Sequence, residues 1–284
     1  MAIDIHQSRP EKSVDVMPKE ELKCLPVVVL IATTYRRHLH EARTVPSLLR
    51  QTRPWDMTVI VDDTDTSLDE LQEFWSQSGV RPVRVWKNNR TRGAAGTWNT
   101  GLDIIRKSYS DAWISILDDD DEWTPKHLEV CLSRARRGVD AVISGIVTYV
   151  DEVQASVPNQ GQFVLEDFLY HNPGWQGSNT FVKLSSLERA GRFDEGLACT
   201  HDRDLAVRLL ELEGFRHMRT GEVTVKYHIG SNEAAYTRRL NPEKLEGLKV
   251  FWRKHRHRMT PEHQDKFFSR ALEVFGFNRD QLTT

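Results

Sequence analysis

Cysteine is scarce in this 284-residue sequence: Cys24, Cys131 and Cys199 are too few and too scattered for a disulfide framework, and no CxxC pair suggests zinc. Long apolar runs are missing too. The longest, LPVVVLIA at residues 25–32, is far short of the roughly 20 residues that span a bilayer, and the polar amino terminus has no signal-peptide pattern. Neither sign of charge dominates, since 39 Lys and Arg face 41 Asp and Glu; a formal charge of −2 gives no global argument for nucleic acid or an anionic membrane. These absences leave a cytoplasmic enzyme or binding protein, soluble or peripheral at a membrane surface. With 39% hydrophobic residues the chain has material for a real core, in one large domain or two small ones.

What is present is a regular alternation. Residues 1–24 have no sustained period and are expected to form an arm. Then VVVLIAT (27–33) is a continuous β-branched run, as a parallel strand buried on both faces requires. Helical spacing follows at 41–51, where Pro46 fits best in a first turn. MTVIVDD (57–63) is a second strand, and SLDELQEFWSQ (67–77) an amphipathic helix capped by Ser67. A third strand is expected at 83–88, a helix over roughly 95–107, and a fourth strand at 111–118. Thr124 and Pro125 then read as the cap and first position of a further helix. Strand returns at 139–150 and 222–228, a helix at 202–214, and the chain from Asn241 is helical and polar. The basic stretch WRKHRHR (252–258) reads as a solvated helix face, or as a surface for an anionic acceptor or a membrane. Strand–helix alternation with short links predicts a doubly wound α/β domain.

One stretch stands out chemically. SILDDDDEWTP (115–125) sets four consecutive aspartates at the end of a buried strand. Two carboxylates about 5 Å apart repel by roughly 3 kcal/mol at an effective dielectric near 20, so a counter-charge is expected: solvent ions, a Lys or Arg, or a divalent metal. Ligands of open α/β sheets bind outside the carboxyl ends of the strands. Residues 33–35 follow the first strand, Asp62 and Asp63 end the second, and residues 118–121 end the fourth, so three polar clusters converge on one edge.

Five stretches, VVVLIATTYRR, TVIVDDTDT, GAAGTWNTGL, ISILDDDDEWTPKHLE and GRFDEGLACTHDRDLAVRLL, in this order over roughly residues 26–231, resemble glycosyltransferase family 2. That family has the GT-A fold, a mostly parallel Rossmann-like sheet flanked by helices. The departures are Thr64, where the family often has Ser or Gly, and His201, where it often has Glu. The resemblance implies a GT-A domain over 25–237, with a nucleotide half to about 122 and a less regular acceptor half after it. A helical extension over 238–284 follows. It further implies inverting, metal-dependent transfer from a nucleotide-diphosphate sugar to an acceptor nucleophile, a hydroxyl in the first instance. The acceptor class stays open: saccharide, lipid-linked, small molecule or polymer.

The same resemblance distributes roles. Asp118 and Asp120 match the DXD motif that holds Mg²⁺ or Mn²⁺ on the diphosphate, Asp118 also lying near the ribose. Alternation along an extended chain would put those two on one face, with Asp119 and Asp121 opposite; Asp121 and Glu122 then read as charges before a helix N-terminus. Thr33, Tyr35 and Asp63 are assigned to the base, where Asp63 accepting from a ring imide N–H would favour UDP, then dTDP. Arg90 and Arg92 suit phosphate, Arg92 the better, with Gly93 and Gly96 allowing close backbone approach. Asp202 is the expected general base, with His201 and Asp204 as alternatives; Asp204 fits a helix-start role better. His228 is a candidate to complete a metal shell, and Trp175, in NPGWQGSNTF, reads as an exposed platform for sugar or acceptor, with His201 nearby. Other classes fit less well. A nucleotidyltransferase needs a Gly-rich loop after the first strand, and a phosphohydrolase an aspartyl nucleophile where this chain has Thr33 and Thr34. A catalytically silent sugar-nucleotide-binding module would have no need of Asp202.

Overall fold

The computed structural model describes residues 25–33, 36–156, 161–229 and 239–284. The expected arm 1–24, with Cys24, lies outside the described residues, as does Tyr35. The strands are β1 (Val27–Thr33), β2 (Met57–Asp62), β3 (Val83–Lys87), β4 (Trp113–Ile116), β5 (Glu122–Trp123), β6 (Ala141–Val150), β7 (Val153–Ser156), β8 (Thr180–Lys183) and β9 (His217–Ile229). Helices of eight or more residues are α1 (Leu68–Gln77), α2 (Ala94–Ser108), α3 (His127–Arg134), α4 (His201–Leu210), α5 (Pro242–His255) and α6 (Pro261–Arg270).

All strands join one sheet in the order β3-β2-β1-β4-β8-β6-β9-β5, with β7 on β6. From β3 to β4 every pairing is parallel. Beyond β4 the sheet is mixed: β8 runs antiparallel to β4 and β6, while β6 and β9 are parallel. The first half behaves as its sequence requires. In β1, Val28 and Leu30 enter a core beneath α2, whereas Val29 and Ile31 enter a second core with Trp75 of α1. Both faces are covered, which is why the run shows no polar alternation. Helix α2 lies close on β1 because residue 101 is glycine: a Cβ there would stand 2.2 Å from a Leu30 methyl.

Local signals set several boundaries. Ser67 Oγ accepts the Glu70 N–H at the start of α1, and Asn241 Oδ1 the Lys244 N–H at the start of α5. Pro46 sits in the first turn of the short helix Val45–Leu49, where it needs no N–H donor. The helix expected at Thr124 begins later, at His127. Residues 122 and 123 are instead drawn into antiparallel pairing with β9, and the Thr124 N–H bonds the Thr224 carbonyl, so helix cannot start until that ladder ends. The C-terminal helices are not an appendage. Phe251, Trp252, Phe267 and Phe268 belong to the same core as Val28 and Leu30. Within WRKHRHR, Trp252 and His255 are buried, Lys254 pairs inward, and the solvated face is carried by Arg253, Arg256 and His257. Among the described residues no helix is long and apolar enough to cross a membrane.

Candidate active site

The strand order puts a topological switch beside β1, whose neighbours β2 and β4 leave in opposite directions, and the carboxyl ends there are where ligands of open α/β sheets bind. Thr33 closes β1. It is buried, its Oγ1 2.7 Å from His40 Nε2 and donating to Asp119 Oδ2 at 3.1 Å, so it supports the acidic run from beneath. Asp62 closes β2 fully buried, held by Lys87 Nζ at 2.5 Å and by the Thr64 N–H. Asp63 is half-buried and fastens the loop after β3, accepting from Asn88 Nδ2 at 2.7 Å and the Gly93 N–H at 2.6 Å.

The four aspartates do not run on as an extended strand. The Asp121 N–H bonds the Asp118 carbonyl at 3.2 Å, closing a turn. Strict alternation is therefore corrected, although the four still divide two and two: Asp118 and Asp120 are partly exposed, Asp119 and Asp121 buried. Each buried member has its own partners. Asp119 takes Thr33 and the Arg36 guanidinium. Asp121 accepts from Ser178 Oγ at 2.6 Å and from the His228 N–H at 2.9 Å. It ties three segments together and is not a helix-start charge; neither is Glu122, which lies in β5.

The exposed pair carries the unbalanced charge. Burial, then Asp120, Asp119 and Asp202, push the Asp118 carboxyl up to about 8, opposed by the Ser178 hydroxyl. Burial also raises Asp120, against the opposing Arg36 guanidinium 3.1 Å away. The Asp118 carboxylate lies over Gly177, where a Cβ would come within 2.6 Å of its oxygen, so residue 177 must be small. Arg36 thus supplies part of the counter-charge, and the raised pKa values of Asp118 and Asp120 mark hard oxygen donors that are still short of a cation. That donor set suits Mg²⁺ or Mn²⁺. Among the described residues no three His, Cys, Asp or Glu side chains gather to hold an ion alone, so further ligands would come from the donor's phosphates and water.

Asp202 faces this cluster from the first turn of α4. Its Oδ2 accepts from Asn172 Nδ2 at 2.9 Å and its Oδ1 from the Arg203 N–H at 2.8 Å. Burial raises its pKa, while the Arg203 N–H and the charges of His201, Lys244 and Arg203 oppose the shift. Asp204 is different in kind: fully buried, it pairs with Arg208 at 2.7 Å, Lys254 at 2.8 Å and His255 at 2.8 Å. His201 turns inward, its Nε2 2.8 Å from the Leu197 carbonyl and its ring edge on Trp98.

Other expected residues are placed less favourably. Trp175 is corrected: it is 1% exposed, packed with Phe163 and Phe168, its Nε1–H donated to Thr180 Oγ1, and offers no face to a sugar. The apolar neighbours that bury it come from residues 163 and 168, outside the stretch that made it look like a loop aromatic. The His228 imidazole points to Glu122 at 3.1 Å and stacks on Tyr149, while its backbone N–H holds Asp121. Arg90 is committed to Asp103 at 2.8 Å and Glu195 at 3.1 Å, whereas Arg92 is exposed without an ion pair among the described residues. Sequence reasoning missed Arg36, Asn172, Ser178 and Tyr227. Tyr227 packs close enough that, after burial, the charges of Asp121, Asp202, Asp120 and Asp118 all raise its phenol. Asn172 and Ser178 flank Trp175 in NPGWQGSN; the polar members, not the aromatic one, reach the site.

Residues 30–189 match the family model described as glycosyl transferase family 2. A protein of Escherichia coli strain K12 assigned to colanic acid biosynthesis as a glycosyl transferase, WcaA, is 27% identical over 241 residues, covering 83% of each chain. Among solved structures, TarS 1–349 of S. aureus in complex with UDP-GlcNAc superposes with a TM-score of 0.62 at 16% identity, over 90% of this chain and 74% of that one. The mannosyltransferase PcManGT of Pyrobaculum calidifontis, in complex with GDP-Man and Mn²⁺, gives 0.59 at 19% identity, over 87% of this chain and 68% of that one.

Proposed function

Because the chain belongs to glycosyl transferase family 2, we propose that it moves a sugar, with inversion, from a nucleotide-diphosphate donor held at the ends of β1, β2 and β4 to an acceptor hydroxyl beside Asp202. The observation that carries this reading is the segment 172–178, which joins two distant parts of the chain: Asn172 Nδ2 donates to Asp202 Oδ2 at 2.9 Å on α4, and Ser178 Oγ accepts the Asp118 N–H at 3.0 Å beyond β4. It supports a donor side and an acceptor side that meet at one edge of the sheet. Phosphohydrolase and nucleotidyltransferase readings fall with the family assignment.

Asp202 suits the base. Its carboxylate is fixed by Asn172 and its own helix, and its raised pKa moves it toward neutrality, where a general base works best. A single base on the acceptor side fits one in-line displacement, which inverts the anomeric carbon. Asp118 and Asp120 would hold Mg²⁺ or Mn²⁺, whose chemistry there is Lewis-acid stabilisation of the diphosphate leaving group. Arg92, exposed and unpaired by any carboxylate among the described residues, is free to turn to phosphate. Asp63 keeps lone pairs beyond those used by Asn88 and Gly93, so it can accept an imide N–H. UDP-sugars are the favoured donors, dTDP-sugars next. The structural neighbours carry GDP-Man in one case and UDP-GlcNAc in the other, so the fold admits either nucleotide.

Incubation with UDP-, dTDP- and GDP-sugars and Mn²⁺, followed by release of free sugar, tests this reading without an acceptor. Slow hydrolysis of a UDP-sugar that stops in excess EDTA supports it. Preferred hydrolysis of a GDP-sugar sinks the role of Asp63, and full activity in EDTA sinks the metal.

A further inference from the structure

The stretch NPGW (172–175) offers no sugar platform, yet each of its residues is committed. Asn172 Oδ1 accepts the Gly174 N–H at 2.9 Å and the Trp175 N–H at 2.8 Å, which closes a tight turn. Pro173 restricts the backbone of Asn172 to the extended region, and Gly174 stands at φ 109°, where a side chain would be strained. Trp175 pins the far end of the turn in the core, its Nε1 2.9 Å from Thr180 Oγ1.

The turn settles which way the Asn172 amide faces. Its oxygen takes two N–H donors, and a flipped amide would set an NH2 against them. The NH2 points the other way with both hydrogens used: Nδ2 lies 2.6 Å from the Trp175 carbonyl and 2.9 Å from Asp202 Oδ2. Asn172 thus presents one fixed N–H to one oxygen of the carboxylate, while Asp202 Oδ1 takes the Arg203 N–H at 2.8 Å. A donor aimed at a desolvated carboxylate favours its ionised form over its protonated one.

We propose that Asn172 is a positioning residue, which holds the Asp202 carboxylate ionised and in one orientation, with the NPGW turn as its rigid mount. This rests on Asp202 being the base. A base must be unprotonated to take the acceptor's proton, and burial works against that. The Asn172 N–H offsets part of the burial without a positive charge. A cation in its place would hold the carboxylate more firmly and leave a weaker base, as the cations around Asp204 do. The titratable groups that face Asp202 are His201 and Arg203 on its own helix, Cys199 before it, Lys244 of α5, Asp118 beyond β4 and Tyr227 of β9. Substitution of Asn172 leaves all of them in place.

Two variants of the full chain separate this role from a purely structural one. Asn172→Asp keeps the oxygen that closes the turn but replaces the donor by a second carboxylate, so that two carboxyl groups share a proton. Asn172→Ser adds no charge, and its hydroxyl can still close the turn, but it has no NH2 to reach Asp202. In protein labelled with ¹³C at the aspartate side chains, Asp202 is assigned by the signal missing from Asp202→Asn and is followed through pH. The pH at which Asp202 takes up its proton should rise by about two units in Asn172→Asp and by about one in Asn172→Ser. Asn172→Ser decides the matter if Asn172→Asp does not fold. In slow UDP-sugar hydrolysis the acid limb of kcat should rise with the titration, while KM for the donor stays unchanged. An Asp202 titration that stays in place in both variants overturns the proposal. So does a shift confined to Asn172→Asp, which added charge alone would produce. A titration that moves while the acid limb of hydrolysis does not would uphold the hold of Asn172 on Asp202 and refute Asp202 as the base.

Discussion

Asp202 and Asp204 lie two residues apart in one helix, and the protein treats them as opposites. Asp204 is enclosed by Arg208, Lys254 and His255, and it fastens α5 to α4. Burial alone would raise its pKa, but the His255 hydrogen bond and the charges of Arg208 and Lys254 hold it below the usual carboxylate range. Asp202 has one side-chain donor, Asn172, and burial pushes its pKa up. A carboxylate saturated with cations builds structure. One that is desolvated and left short of partners is kept ready for a proton.

The sharpest test of this contrast is kinetic. Asp202→Asn keeps the shape and one acceptor oxygen, so donor affinity should change little while single-turnover transfer falls by about 10²–10⁴, the contribution of a positioned base. Near-wild-type turnover would move the base elsewhere. Asp204→Asn should show the reverse: a loss of about 1–3 kcal/mol in stability by urea denaturation, because the buried carboxylate that joins Arg208, Lys254 and His255 loses its charge. The protein that remains folded should keep its turnover. A large kinetic defect with unchanged stability would exchange the roles of the two residues.

The smallest expected effect is a pH dependence of stability with opposite signs. The folded pKa of Asp202 lies above its unfolded value of about 3.9, so the folded state holds its proton longer, and the residue's contribution to stability falls as pH rises through that window. Asp202→Asn should therefore be slightly more stable than the parent at neutral pH and equal to it below about pH 4. Asp204 has a depressed folded pKa, so its contribution is complete above about pH 4 and is lost as pH falls through the folded value. Parallel stability profiles for Asp202→Asn and Asp204→Asn would erase the distinction.

The same contrast explains what could be seen in the sequence. The β-branched run at 27–33, the cap Ser67, the helical onset near Asn241, and the polar ends of the first, second and fourth strands are local or follow from strand order, and all appear in the structure. Contacts between distant segments were hidden. The pairing of residues 122 and 123 with β9 delays α3, aromatic residues from elsewhere bury Trp175, and Asp121 finds Ser178 and the His228 N–H across the fold. Asp202 and Asp204 look alike in DRDLAVRL, since only α5 supplies the lysine and histidine that tell them apart.

The central claim is that Asp120 serves the donor and Asp202 serves the acceptor at one edge of the sheet. Calorimetric titration of UDP, with and without Mn²⁺, into the parent protein, Asp120→Ala and Asp202→Asn tests it most directly. The account predicts Mn²⁺-dependent UDP binding in the parent, its loss in Asp120→Ala, and its retention in Asp202→Asn. UDP binding indifferent to Mn²⁺ in the parent, or lost in Asp202→Asn and kept in Asp120→Ala, would contradict it.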